Sequence, residues 1–150
     1  MSWQQLLHNR RMQPHTTSQR ELDGLRAVVA RDLQDARVLG LSTDRQFATA
    51  YNAVLQLAKM AIACAGYRVV GAGHHQTTFE AVELALGASV SALTSYFDTC
   101  RRKRNILDYD NAQVVTETEA KELVQKAEEF WTLVEQWMTQ HHPQFSLQRP

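Results

Sequence analysis

The chain has 150 residues with 16 basic and 16 acidic side chains, so its formal net charge is zero. That balance excludes a global basic field for nucleic acid, and any such binding has to come from a local patch. The length fits one domain able to bury a core without staples, and the two distant cysteines, Cys64 and Cys100, form neither a zinc pattern nor a disulfide framework. Both read as small core or semi-buried thiols in a reducing compartment. The opening Met1-Ser2-Trp3-Gln4-Gln5 has no basic region followed by an apolar run, and no stretch is long and apolar enough to span a bilayer. A cytoplasmic location without membrane contact is the expectation.

In chain order, Trp3, Leu6 and Leu7 recur at the spacing of a short amphipathic helix, closed off by Pro14 and Thr16-Thr17. Residues 1–17 are therefore expected to form an arm that docks on the body or on a second subunit. Ser18 with Glu21 is a capping-box pattern, and Leu22, Leu25, Val29, Leu33 and Ala36 form a helical stripe behind it that ends near Gly40. Ser42 and Thr43 offer the next cap. Phe47, Tyr51, Val54, Ala58, Ile62 and Ala65 line a third helix up to Gly66, and its many alanines predict a central position.

Gly66 to His75 reads as a loop. The next helix is expected from Thr77, with Glu80 completing a second capping box, through Phe79, Val82 and Leu86 to Gly87. A fifth runs from about Ser89 through Leu93, Tyr96 and Phe97. Thr116 with Glu119 caps a last long helix carrying Leu123, Ala127, Phe130, Val134 and Trp137, finished by His141-His142-Pro143. The pairs Val69-Val70 and Val114-Val115 are too short for useful strands. The fold class is all-α, an antiparallel bundle of about five helices over residues 18–142, with residues 143–150 as a tail.

Functional groups concentrate at Cys100-Arg101-Arg102-Lys103-Arg104-Asn105-Ile106-Leu107-Asp108-Tyr109-Asp110. Four successive cations repel one another, and Asp98, Asp108 and Asp110 partly offset them, so the cluster is patterned rather than uniformly basic. At helical spacing Arg101, Asn105 and Asp108 share one face and Arg102 and Ile106 another. Arg104 and Tyr109, five apart, are compatible with a common pocket at a helix end. A solvated, salt-bridged helix terminus is the competing reading of the same residues.

Tyr51-Asn52 and Gln56-Leu57-Ala58 in a central helix, Gly66-Tyr67-Arg68 closing it, a His-bearing loop, and a late Arg104-Asn105 followed by Tyr109 resemble the HEPN superfamily of helical nucleotide-binding and RNA-processing domains. The resemblance covers roughly residues 20 to 138. It implies a helical bundle that dimerises so that two copies of an arginine, polar residue and histidine motif face one cleft. Many members are metal-independent ribonucleases of toxin–antitoxin and phage-defence systems, and others only bind nucleotides or partners. Arg104 matches the arginine and Asn105 the polar position, while Tyr109 stands where the histidine belongs. The implied partners are RNA or a nucleotide, a second copy of the chain, and a cognate antitoxin, nucleotidyltransferase or defence-system protein.

The substitution at Tyr109 separates two outcomes. As an acid or base, a phenol with an unperturbed pKa of about 10 needs neighbouring cations to lower it; as a stacking or packing group it leaves a binding site without chemistry. His74 and His75 are the other proton-carrier candidates, although a pair of adjacent loop histidines without acidic or thiol neighbours does not define a metal site. Arg68 reads either as a second phosphate contact or as a salt bridge to Glu80 or Glu83. Arg101, Arg102 and Lys103 complete the candidate nucleic-acid or nucleotide contacts. Gly71-Ala72-Gly73 lacks the preceding strand, third glycine and lysine of a phosphate-binding loop, and no metal or cofactor has a visible basis. Trp131 lies off the main stripe of the last helix and, with the arm and the alanine-rich helix, predicts a twofold homodimer. Two functions follow: an RNA-binding or RNA-cleaving dimer, or a non-enzymatic helical module for partner binding or dimerisation.

Overall fold

The computed structural model describes residues 1–71, 74–109 and 115–147, with the side chains of 106–109 outside the description. The described residues form an all-α helical bundle with six helices and one small sheet: α1 Trp3–His8, β1 Met12–Pro14, α2 Gln19–Ala36, α3 Thr43–Cys64, β2 Tyr67–Val69, α4 His74–Leu86, α5 Ser91–Tyr109 and α6 Glu117–His141. The short helix of the arm and the five helices of the bundle are those that the stripes predict. No helix among the described residues is long and apolar enough to cross a membrane.

Helix α3 is the centre. It packs against α2, α4, α5 and α6, and its alanines, Ala50, Ala53, Ala58 and Ala61, are fully buried, which lets those neighbours approach closely. Helices α2, α3 and α6 each begin where a side chain can satisfy an orphan backbone donor. Ser18, Ser42 and Thr116 accept from the backbone N–H groups of Glu21, Arg45 and Glu119, and Thr116–Glu119 forms the reciprocal capping box. At Ser18 the box stays half made, because the Glu21 carboxylate accepts instead from Thr17 and pairs with His15. Gly66 ends α3 at a φ of 97°, a left-handed conformation that a residue with a Cβ resists.

Two sequence expectations need correction. Helix α4 starts at His74, so Thr77 is an interior residue, 2 % exposed, and does not cap the helix. The stretch expected to be a continuous loop holds β2, which pairs antiparallel with β1 in the register Met12↔Val69, Gln13↔Arg68, Pro14↔Tyr67. The arm is thereby tied to the connection between α3 and α4. Leu6 and Met12 enter the core, and Trp3 stacks on Tyr67 at 4.6 Å between ring centroids.

The α2–α6 side carries a buried charge network. Arg26, 5 % exposed, donates from Nε and Nη2 to both carboxylate oxygens of Glu135 at 2.8 and 2.7 Å, from Nη1 to Asp23 at 2.8 Å, and from Nη2 to the Phe145 carbonyl at 2.7 Å. Asn52 and Gln56 also belong to packing. Asn52 donates to the buried Asp32 of α2 at 2.6 Å, and Gln56 donates to Asn52 at 3.3 Å.

Candidate functional site

A row of aromatic rings leads from the core to the site. Phe130 of α6 meets Phe97 of α5 at 5.2 Å, Phe97 meets Phe79 of α4 at 5.9 Å, and Phe79 meets Tyr51 of α3 edge-on at 6.2 Å. Tyr51 is fully buried, and the Arg104 guanidinium lies 5.6 Å from its ring centroid, within cation–π range. His75 packs on the same ring, 6.0 Å from Tyr51 between centroids, and His74 stands edge-on to His75 at 4.3 Å. Helices α3, α4 and α5 thus each place one aromatic or basic group at a shared centre.

The electrostatics there are one-sided. Burial holds the His75 imidazole down at about 4, helped by the charges of His74, Arg104, Lys59 and Arg101, so the ring is neutral at physiological pH. Burial also raises the Tyr51 phenol, against the pull of Arg104 and Arg101. Its hydroxyl is buried and has no hydrogen-bond partner among the described residues. A buried unpaired donor is costly, and its position beside two guanidinium groups suits an anionic acceptor. Burial pushes the neighbouring Cys100 thiol up to about 11, which keeps it protonated and unreactive.

The four cations of the cluster have different duties. Arg101 donates from Nε to Asp98 at 2.8 Å and Arg102 from Nη2 to the other Asp98 oxygen at 3.1 Å, which keeps that carboxyl below its usual range. Lys103 forms an ion pair with Glu119 and so ties α5 to α6. Arg104 alone of the four covers the Tyr51 ring, and Asn105 is exposed one position further on. Tyr109 is helical in its backbone, but its side chain, like those of Ile106 and Asp108, lies outside the described residues, as do Asp110, Ala72, Gly73 and Val114.

Arg104, Arg101 and His75 therefore come together, with His74 adjoining. Arg68 does not join them. The strand register sets it beside Gln13, whose amide oxygen accepts from Arg68 Nε and Nη2 at 3.2 and 2.9 Å. Glu80 pairs with Arg11 at 3.9 Å and Glu83 with the Ser91 hydroxyl, so neither acid takes Arg68. Trp131 is half-buried on α6, its indole N–H donating to Glu135 at 3.3 Å. The site residue that motif reading passes over is Tyr51 as an unpaired hydroxyl. Its one sequence signal is a hydroxyl-bearing tyrosine in a stripe that is otherwise wholly apolar. Comparison with protein-family models, curated proteins and solved structures finds no match to this chain.

Proposed function

We propose that the chain is a HEPN-type helical module that binds RNA or a nucleotide through the α5 end, within a prokaryotic toxin–antitoxin or phage-defence system. The observation that carries this reading is the Arg104 guanidinium over the ring of Tyr51, whose buried hydroxyl has no hydrogen-bond partner among the described residues, with the charge of Arg101 also acting on the phenol. A phosphodiester offers this centre non-bridging oxygens that accept charge-assisted hydrogen bonds from arginine. Asn105, exposed on the same helix end, orients the nucleotide, and a second copy of the chain closes the cleft.

Binding is favoured over cleavage. Metal-independent cleavage needs a base for the 2′-hydroxyl, an acid for the leaving oxygen and a cation for the phosphorane. Arg104 supplies the cation. A neutral His75 with a pKa of about 4 is a weak base, and a phenol at Tyr109 in place of histidine is a poor one at neutral pH. A non-enzymatic module that binds a partner protein is the second reading, favoured by the intramolecular engagement of Arg102 and Lys103.

The test is titration of the wild type, Arg104→Ala and Tyr109→Phe with a short single-stranded RNA, alongside inducible expression scored for growth and total RNA integrity. Arg104→Ala is expected to weaken binding by about tenfold or more, the size of one lost charge-assisted contact, while Tyr109→Phe binds as wild type. Equal RNA affinity of wild type and Arg104→Ala rejects the site. Wild-type RNA cleavage that Tyr109→Phe abolishes with affinity intact makes the protein a nuclease instead.

A further inference from the structure

A second cavity lies between α2, α3, the sheet and the start of α4. It encloses about 340 Å³, at the lower end of small-molecule pockets. Its floor is apolar, made by Leu25, Ile62, Ala63 and Val69. Tyr67 forms a wall whose ring is already held by the stack on Trp3, so no ordering cost remains to be met there on binding.

The polar lining is basic and comes from three separate elements: Lys59 of α3, Arg68 of β2 and His74 of α4. Lys59 is exposed and has no ion-pair partner among the described residues. Among the described residues Arg68 is held only by the uncharged Gln13 amide, which fixes the guanidinium without neutralising it. The acid of the lining, Glu21, is already taken up, accepting from Thr17 at 2.6 Å and pairing with His15 at 2.8 Å. The cavity thus offers cationic donors beside an apolar lining, with the oxygens of its carboxylate engaged by Thr17 and His15.

We infer that this cavity binds a small organic anion, an aromatic or similarly apolar body carrying one carboxylate or phosphate head. The head sits among Lys59, Arg68 and His74, and the body lies on Ile62 and Val69 against Tyr67. This site adjoins the Arg104 centre at His74 but uses neither Arg104, Arg101 nor Tyr51, and it does not depend on the reading of that centre.

Benzoate and phenyl phosphate serve as probes for the two head groups, neutral benzamide for the body alone and inorganic phosphate for the head alone. Calorimetric titration and amide chemical-shift mapping on the full chain read the binding. One of the two aromatic anions is expected to saturate with a Kd of about 1 mM or tighter, at least about tenfold tighter than benzamide or inorganic phosphate. Whichever anion binds better assigns the head group. Shifts should cluster at His15, Lys59, Tyr67, Arg68 and Thr78, and Arg104→Ala should leave the affinity unchanged. Lys59→Gln with Arg68→Gln, both at exposed positions, should weaken binding about tenfold or more. Absence of saturation by both anions, equal binding of benzamide, shifts centred on residues 101–104, or full affinity in the folded double variant would each overturn the proposal. The single variant Lys59→Gln applies the same criterion should the double variant fail to fold.

Discussion

The two sides of the bundle handle buried charge in opposite ways. On the α2–α6 side, Arg26 is closed into a network in which two carboxylates and a carbonyl meet its guanidinium. On the α3–α4–α5 side, Arg101, Arg104, His74 and His75 gather around a tyrosine, and a single carboxylate, Asp98, serves Arg101 and Arg102 at once. A closed network is stabilising only while complete, since removing a partner strands a buried charge. Two guanidinium groups beside a buried hydroxyl that lacks a partner among the described residues cost stability, an arrangement tolerated where a ligand completes it. The first arrangement holds the fold and the second marks the place to look for function.

The largest effect expected from this contrast is at Arg26. Arg26→Ala should lower stability by about 3–5 kcal/mol, the usual cost of breaking a buried pair, whereas Arg102→Ala, which breaks an exposed ion pair with Asp98, should stay within about 1 kcal/mol of wild type. Urea denaturation of both variants checks it, and equal losses would erase the distinction between the two sides. The pH response comes next in size. His75 has its folded pKa lowered to about 4 from 6.5, so between those values the unfolded chain binds the proton that the folded chain refuses. Its contribution is therefore complete above about pH 6.5 and is lost as pH falls towards 4. Allowing for solvent screening at a half-buried ring, the loss is about 1–2 kcal/mol. His75→Gln should flatten that part of the stability profile, leaving the later acid loss from Asp98 and Glu21 in place. An unchanged slope between pH 6.5 and 4 would show that the ring is not desolvated by this centre.

The smallest effect is the most diagnostic. Tyr51→Phe removes a buried hydroxyl without a partner and should be neutral or stabilising by up to about 1 kcal/mol, while weakening RNA binding. A loss of stability instead would mean that the hydroxyl is satisfied within the fold, and the contrast would fail at its centre.

Most of the bundle was legible because helices announce themselves locally. Ser18, Ser42 and Thr116 cap where their sequence patterns place them, and the stripe from Phe47 to Ile62 is the buried face of α3. The capping pattern at Thr77 misled because Thr-x-x-Glu also occurs inside helices, and α4 had already begun at His74. The strands were illegible for a physical reason. Three-residue segments carry no period, and the pairing of Met12 with Val69 depends on tertiary placement of the arm. Arg104 and Asn105 stood out as part of a charged run, yet the run does not say that Arg102 and Lys103 turn to Asp98 and Glu119 while Arg104 covers Tyr51. That division follows from how α5 sits on α3 and α6.

The pairing of β1 with β2 also sets an order of events. Residues 12–14 leave the ribosome long before residues 67–69, so the arm emerges first and has to wait for α3 and the turn after it before it can dock. During that interval Leu6 and Met12, both buried at the end, are exposed to solvent and to other chains. His15, Tyr67, Arg68 and Val69 flank the same clasp, so the small cavity they line comes into being only when it shuts. A ligand for that cavity would bind the closed form alone and so raise its share in refolding chains by mass action.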